Sequence, residues 1–254
     1  MLKTRIMPTL LYKDTTLVKG VSFDSSRRVG TAMQAVKVYN YREVDELVFL
    51  DISATKDKRL PDFSLIDDLA DECFMPLAVG GGIRSIEDVH QLLKVGADRV
   101  VVNSATVDVP GLISDIANTF GSQSVVVSID ARKTSPGNYE AYVESGSRPT
   151  GHTPIELARQ AENTGAGEIL ICSIDRDGTM DGYDIDLIKN IASSVSIPVI
   201  ASGGAGNYKH MKDALDAGAS ALAAASIFHF TEQTPLEAKD YLQSLGIPTR
   251  RSFK

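Results

Sequence analysis

Residues 76–104, PLAVGGGIRSIEDVHQLLKVGADRVVVNS, and residues 198–226, PVIASGGAGNYKHMKDALDAGASALAAAS, decide the fold because they carry one pattern twice. In both, proline opens a short apolar run, a glycine pair follows, an amphipathic stretch leads to Gly-Ala, and a second apolar run ends before serine. A shift of 122 positions brings the two copies into register. Repetition of one strand–helix–strand unit at a fixed interval predicts two half-barrels of the same construction.

The same alternation extends outward over the whole chain, with no Pro-, Gly- or Ser-rich linker that would divide it. Short apolar runs predict strands at 5–11, 45–51, 74–79, 98–102, 123–130, 167–173, 197–201 and 220–225. Amphipathic segments, several opened by a capping residue, predict helices near 31–43, 62–72, 85–95, 109–119, 153–164, 184–194, 207–217 and 234–244. This alternation is typical of one α/β fold, the (βα)8 or TIM barrel, as a single domain over residues 1–254.

The composition limits the classes of partner that we expect this 254-residue chain to bind. A formal charge of -7 argues against nucleic-acid and anionic-membrane surfaces, because both favour basic patches. No apolar run approaches the roughly 20 residues of a membrane span, and the N-terminus lacks a signal-peptide pattern. Cys73 and Cys172 are too few and too far apart for a disulfide framework or a metal knuckle. We therefore expect a cytoplasmic protein that binds a small molecule or another protein.

Each copy of the repeat places a glycine pair after one strand and a small residue followed by serine after the next. Glycine lacks the Cβ that would keep an anion away from backbone N–H groups, so the pattern favours phosphate binding. For one copy, tight turns are an equal alternative, but two copies favour a ligand with a phosphate at each end. Lys19, in the long loop after strand 1, either contacts a phosphate or is simply solvated. The predicted sites are Gly81, Gly82, Asn103 and Ser104 in the first copy, and Gly203, Gly204, Ala225 and Ser226 in the second.

Acidic residues at the carboxyl ends of strands are the candidate catalytic groups, because barrel enzymes carry out their chemistry at that face. Asp130 follows the apolar run VVVSI and is the best candidate for proton transfer. Asp51 ends another predicted strand, and Asp175, Asp177 and Asp181 share one loop, in which Asp181 is interpreted as a turn residue. The four histidines share no metal-ligand spacing, so the sequence predicts no metal site.

Six segments of the sequence resemble the HisF-type cyclase subunit of imidazole-glycerol-phosphate synthase. The resemblance runs from about residue 3 to residue 248 and rests on DELVFLDI, PLAVGGGIRSIEDV, GADRVVVNSA, FGSQSVVVSIDAR, GAGEILICSIDRDGTMDGYD and PVIASGGAG. It implies that a HisH-type glutaminase subunit docks at the bottom of the barrel, as a heterodimer, and releases ammonia. The ammonia then passes through the barrel core to a twin-phosphate substrate at the top. The resemblance implies no cofactor.

The resemblance also implies roles for particular residues. Its phosphate positions are matched by Gly82, Asn103 and Ser104 at one end, and by Asp177, Gly178, Gly204 and Ser226 at the other. Asp98 matches an aspartate that contacts the partner. Four strand-initial positions match a charged ring at the ammonia entrance, with arginine replacing the usual lysine at position 99: Arg5, Glu46, Arg99 and Glu168. The alternative for this ring is an ion-pair cluster that only plugs the barrel.

Three positions depart from the family pattern where we expect the mouth of the barrel. The family carries two catalytic aspartates; Asp130 matches one, but Leu11 occupies the place of the other and cannot transfer a proton. Asp14 could replace it only if the loop were rebuilt. Cys172 stands in place of a threonine, and Thr153 in place of an aspartate. These changes predict that ammonia delivery is kept while the cyclase chemistry is altered or lost.

Leu11 and the segment LLYKDTTLVKGVSFDSSRRVG also resemble a second branch, the glycosyl-amidation-associated paralogues. In that branch a barrel and a glutaminase supply ammonia to an ATP-dependent enzyme that converts a sugar N-acetyl group to an acetamidino group in surface-polysaccharide biosynthesis. The sequence favours this function. Two alternatives remain: the ordinary cyclase subunit of histidine biosynthesis, which makes imidazole-glycerol phosphate and aminoimidazole-carboxamide ribotide, and an isomerase or another sugar-phosphate barrel.

Overall fold

The computed structural model describes residues 3–250, which fold around a closed ring of eight parallel strands. The strands are β1 (Arg5–Lys13), β2 (Leu47–Asp51), β3 (Leu77–Gly80), β4 (Arg99–Val102), β5 (Val125–Ser135), β6 (Glu168–Ser173), β7 (Val199–Ser202) and β8 (Ala221–Ala224). Each pairs with the next, and the ring closes where β8 pairs with β1, with Leu222 opposite Ile6. The predicted (βα)8 barrel is therefore confirmed, with strand ends shifted by a few residues.

Alternate residues of each barrel strand point into the ring, as the two-residue period of a strand requires. The inward-facing residues form an apolar interior of Met7, Val48, Ala78, Val101, Val126, Leu170, Ile200, Ala221 and Ala223. The intervening residues, such as Ile6 and Phe49, form a larger core between the strands and the helices. One inward-facing row therefore runs from Arg5 at the bottom of β1 to Leu11 at its top, and a second leads from Val126 to Asp130 in β5.

Among residues 3–250, eight helices of eight or more residues cover the outside of the ring, as predicted, and two short helices, Ala105–Asp108 and Ser226–Phe230, follow β4 and β8. The eight longer helices are labelled α1 to α8. They are α1 (Ala32–Tyr41), α2 (Phe63–Glu72), α3 (Ile86–Lys94), α4 (Leu112–Phe120), α5 (Pro154–Asn163), α6 (Ile185–Ala192), α7 (Tyr208–Asp216) and α8 (Pro235–Ser244). Seven of them begin after a side chain that accepts a hydrogen bond from the N–H three residues on, a cap that stabilises a helix by about 1 kcal/mol. Within residues 3–250, no helix is long and apolar enough to cross a membrane.

Two antiparallel hairpins rise from the carboxyl ends of β1 and β5. The first consists of Thr16–Val21 and Asp24–Gly30 and continues directly from β1, with Lys13 paired to Thr16. The second pairs Asn138–Val143 with the end of β5 and with Arg148–Pro149. The prediction that Lys19 lies in a loop is wrong, because the chain turns back on β1 and completes a strand ladder.

Candidate functional site

A cavity of about 370 Å³ opens at the carboxyl ends of the barrel strands, which we call the mouth. This volume lies in the range of small-molecule sites. The structure brings together here all the residues predicted from the two copies, together with the candidate acid and its neighbours. The lining includes Gly81, Gly82, Asn103, Ser104, Gly203, Gly204, Ala225, Ser226, Lys19, Asp130, Asp177 and Gly178.

Both glycine pairs lie where another part of the backbone comes close. An ideal Cβ on Gly81 would lie 2.3 Å from the carbonyl oxygen of Asp51, and one on Gly204 would lie 2.2 Å from that of Gly182. Both residues also have positive φ, 115° and 106°, which residues with a side chain rarely adopt. The turns therefore need glycine whether or not an anion binds. Phosphate binding at the two pairs stays a prediction.

Asp130 faces inward at the mouth, two residues beyond Ser128 in the same row. Its Oδ2 accepts a hydrogen bond of 3.3 Å from Nδ2 of Asn103. Burial raises the pKa of Asp130 to about 7, and the negative charge of Asp177 adds to this effect. A carboxyl with a pKa near neutrality is suited to proton transfer, because both of its protonation states are populated.

Lys19 and Asp177 form a buried ion pair at the wall of the cavity. The side chain of Lys19 is only 2% exposed, and its Nζ lies 2.6 Å from Oδ2 of Asp177. The first hairpin also touches the loop after β6, because Ser22 N donates to the Asp177 carbonyl at 2.8 Å. The alternative in which Lys19 is solvated is therefore wrong, since the hairpin folds over the mouth and buries the ammonium group.

Two of the three departures from the family pattern lie in the cavity wall. Leu11 is half-buried and lines the cavity, and Cys172 lies beside Asp130 in the strand register. Burial raises the pKa of the Cys172 thiol well above its usual value, so the thiol stays protonated. The prediction that Thr153 belongs to the mouth is wrong, because this exposed residue caps α5 by accepting from the N–H of Glu156. Asp14 is exposed in the turn after β1 and does not take the place of Leu11.

Two other acidic candidates, Asp51 and Asp175, accept hydrogen bonds from backbone N–H groups and hold loops in place. Asp51 Oδ1 accepts from the backbone N–H groups of Ser53 and Ala54, at 3.1 and 3.0 Å, which fixes the loop after β2. Asp175 accepts from the N–H of Lys133 at 2.8 Å. Among residues 3–250, no three or more His, Cys, Asp or Glu side chains are grouped so that they could hold a metal ion.

At the opposite, bottom end of the barrel, the four predicted charges do form a closed ring. Arg5 donates to Glu46 and to Glu168, each at 2.7 Å, and Arg99 donates to Glu168 at 2.8 Å and lies 3.6 Å from Glu46. The Glu46 side chain is 2% exposed, and its Oε1 has no hydrogen-bond partner within residues 3–250. Burial raises the pKa of Glu46, and the nearby arginines offset only part of this rise.

The surface around this ring carries exposed aromatic side chains. Tyr41 is 95% exposed and Phe74 is 86% exposed. Their loops are neighbours, because Asn40 Oδ1 accepts from the N–H of Phe74 at 3.0 Å. Asp98 is also exposed, and its Oδ2 accepts from the N–H of Leu77 at 2.8 Å. Large exposed aromatic side chains beside polar groups are typical of a protein-binding surface.

The sequence interpretation missed residues that the hairpins and the loop after β2 add to the cavity. Phe23 comes from the first hairpin, Glu144 and Ser145 from the second, and Thr55 and Lys58 from that loop. A signal for the second hairpin was available. Tyr139, Ala141 and Val143 recur at every second position of NYEAYV, and the turn dipeptide Ser-Gly follows after Glu144.

The model of the family described as "Histidine biosynthesis protein" matches residues 5–234 of the chain. This range contains all eight barrel strands and both copies of the glycine-pair unit, so the match covers the cavity and the charged ring together.

Proposed function

The chain belongs to the histidine biosynthesis protein family, and on this premise we propose that it is the ammonia-delivering barrel of a glutamine-dependent complex. The family is made up of barrel enzymes, isomerases and cyclases. In the proposed complex a glutaminase subunit docks at the bottom of the barrel. Ammonia released there passes the charged ring and the apolar interior and reaches the mouth.

The observation that carries this proposal is the charged ring beneath an apolar interior. Buried ion pairs are weak sources of stability, because desolvation offsets most of their attraction. A fully apolar plug would serve stability as well, so four charges around the barrel axis favour a functional explanation. The apolar interior above the ring suits neutral ammonia, since carrying an ammonium ion through it would require desolvation of a full charge.

The bottom surface supports the docking step. Tyr41 and Phe74 offer large apolar side chains, and Asp98 offers a carboxylate close to Arg99 in the chain. Aromatic side chains contribute strongly to binding when a partner covers them. A glutaminase seated here would release ammonia directly onto the ring.

The mouth supports sugar amidation over the ordinary cyclase reaction. Leu11 lines the cavity in the place where the resemblance implies a second catalytic aspartate. We therefore infer that ammonia leaves the mouth for a separate ATP-dependent enzyme, which uses it to convert a sugar N-acetyl group to an acetamidino group. The ordinary cyclase subunit is the second candidate. It is favoured by Asp130, whose pKa near 7 is suited to proton transfer within the barrel itself.

Complex formation with a glutaminase from the same genome tests the proposal. Mixed at micromolar concentration, the two chains should elute as a heterodimer, and the rate of glutamine turnover should rise when the barrel is added. A non-obligate interface of this kind buries on the order of 1,600 Å².

Phe74→Asp should weaken the complex by at least roughly 10-fold, because it places a charge at the core of the interface. Leu60→Asp is the matched control: Leu60 is also exposed, but it lies in the loop after β2 on the opposite face. Absence of any complex, or equal effects of the two variants, would contradict docking at the bottom.

A further inference from the structure

The inside of the barrel is built in layers, each formed by inward-facing residues of alternate strands. The registers of the paired strands, followed around the ring, show which residues share a layer. Above the charged ring, two layers are entirely apolar: Met7, Ala78, Val126 and Ile200, then Val48, Val101, Leu170 and Ala223. The next layer up, which we call the hydroxyl layer, consists of Thr9, Gly80, Ser128 and Ser202. The apolar interior therefore ends at a polar layer.

The hydroxyl layer forms the floor of the cavity at the mouth. Layers of this kind are usually filled by bulky branched residues, but three of the four positions here carry a hydroxyl group. Thr9, Ser128 and Ser202 all line the cavity. At the fourth position, an ideal Cβ on Gly80 would lie 2.9 Å from Cδ2 of Leu50, so the leucine side chain takes that room. Polar groups thus begin where the interior opens into the cavity.

The hydroxyl group of Thr9 is buried without a partner. Thr9 is 7% exposed, and its Oγ1 has no hydrogen bond to any of the residues 3–250. Buried hydroxyls are normally paired, because an unpaired one has lost its bonds to water without replacement. Valine has nearly the same shape and would fill this position without that loss. The unpartnered hydroxyl therefore points to a ligand.

The position of Thr9 limits the size of such a ligand. Its side chain belongs to the inward-facing row of β1, between Met7 and Leu11, and its Oγ1 is out of contact with solvent. A molecule that reaches this atom must pass between closely packed side chains. Only a ligand about as small as water or ammonia meets that condition.

The chemistry of the layer suits neutral ammonia. The nitrogen of ammonia has one lone pair, which accepts a hydrogen bond, and three N–H groups, which donate. Thr9 has a free proton for the lone pair, and the hydroxyl oxygens of Ser128 and Ser202 can accept from the N–H groups. An ammonium ion has no lone pair for the Thr9 proton, and the apolar layers below would require desolvation of its charge.

We propose that the hydroxyl layer is a binding site for neutral ammonia, in which Thr9 donates to the ammonia nitrogen and the serine hydroxyls accept from its N–H groups. The inference rests on the proposed function for the identity of the ligand, since passage of ammonia through the barrel is already part of that function. It adds the place where ammonia leaves the apolar interior and forms its first hydrogen bonds. From this layer the molecule moves upward to the cavity that contains Asp130.

Methyl NMR of the full chain, titrated with ammonium chloride at pH 8 and at pH 9, tests the proposal. Saturable shifts should appear at Val101 and Leu170, directly beneath the layer, and not at the exposed Leu60. Half-saturation should require roughly 0.1 M neutral ammonia or more, because a ligand with one non-hydrogen atom has little binding energy. In total ammonium it should fall by roughly 5–10-fold from pH 8 to pH 9, because the neutral share of an amine rises with pH below its pKa.

Two controls separate binding from effects of salt and pH. Potassium chloride at the same ionic strength should produce no saturable shift at either methyl group. Asp130, with a pKa of about 7, is mostly ionised at both pH values, so its titration does not imitate the effect.

Two variants test the role of the Thr9 hydroxyl. Thr9→Val should abolish the saturable shifts at Val101 and Leu170, whereas Thr9→Ser, which keeps the hydroxyl, should bind ammonia within about 3-fold of the wild-type affinity. Thr9→Val should also unfold in urea at the same or a higher concentration, because the hydroxyl has no bond within the described chain to lose. A clear loss of stability would show that the hydroxyl has a structural role instead.

Several outcomes would overturn the proposal. These are the absence of saturable shifts, equal shifts with potassium chloride, half-saturation at the same total ammonium at both pH values, and unchanged shifts in Thr9→Val. The titration uses the barrel alone, so its result does not depend on a glutaminase. Failure of the two chains to form a complex would contradict ammonia delivery and leave this result as it is.

Discussion

Replacement of Asp130 by asparagine should change how the stability of the barrel depends on pH. Asp130 is buried at the mouth, and its pKa of about 7 in the folded protein lies above its ordinary value of roughly 3.9 in the unfolded chain. Between these two values the folded state binds more protons than the unfolded state. The contribution of Asp130 to the free energy of unfolding is therefore largest below pH 4 and falls as the pH rises toward 7.

The magnitude follows from the difference between the two pKa values. About three pKa units at 1.36 kcal/mol each correspond to about 4 kcal/mol, as an order-of-magnitude figure. Asparagine has nearly the same shape and no charge, and it can still accept the hydrogen bond from Asn103. The variant should therefore be more stable than the wild-type protein at pH 8 by a few kcal/mol, whereas near pH 4 the two should differ much less.

Urea unfolding of both proteins at several pH values between 4 and 8 measures this difference. Subtracting the two curves removes the contributions of all other titrating groups that the substitution leaves unchanged. Ser128→Ala, a change at a neighbouring inward position with no titrating group, is the control and should leave the pH dependence as it is. The reasoning would be refuted if the stability advantage of the variant stayed constant between pH 4 and pH 8. It would also be refuted if the wild-type protein became the more stable of the two as the pH rose.

The remaining predictions concern catalysis and the charged ring. The wild-type chain should convert the family's ribulosyl substrate and an ammonium salt at least roughly 10²-fold more slowly than an ordinary cyclase subunit, because Leu11 removes one proton-transferring group. Comparable rates would assign the protein to histidine biosynthesis instead. Leu11→Asp alone should restore little of this turnover, because Cys172 in the same cavity wall also departs from the family pattern. A large gain would show that Leu11 alone blocks the cyclase reaction. Arg5→Met should lower the free energy of unfolding by about 3–5 kcal/mol, because Glu46 is left buried without its closest partner. Arg99→Met should lower the free energy of unfolding by less than half as much, because Glu168 still has Arg5 as an ion-pair partner. Equal decreases for the two variants in urea unfolding would contradict the roles given to the two arginines.

The barrel itself was predictable because its signals are local and repeated. Strand and helix periods, capping residues and the repeated glycine-pair unit each report on a few neighbouring positions, and together they determine the order of the elements. The charged ring was predictable for a related reason. Arg5, Arg99 and Glu168 begin barrel strands and Glu46 immediately precedes one, and parallel strands in a closed ring bring their first residues to the same end.

The hairpins were missed although their strands pair with neighbouring segments of the chain, and the distant contacts of their side chains could not be predicted from sequence spacing. Lys19 was expected in a loop, yet its strand pairs with the end of β1 and its ammonium group meets Asp177, 158 positions away in the chain. Thr153 was expected at the mouth because of its place in the family pattern, but its hydroxyl caps a helix instead. Sequence spacing does not tell which of two such uses a polar side chain has.

The sequence by itself determined the fold and the two glycine pairs, and its resemblance to the cyclase family pointed to Leu11 and to the ring residues. Only the tertiary structure decided that Ser226 has a free hydroxyl while Ser104 is engaged, although the sequence places both in the same repeated unit. The physical reason is that a hydroxyl's single proton goes to whichever acceptor lies nearest in space. For Ser104 that acceptor is Asn103, and the turn at residue 144 closes over it from 40 positions away. None of the described residues brings a hydrogen-bond partner to the Ser226 hydroxyl.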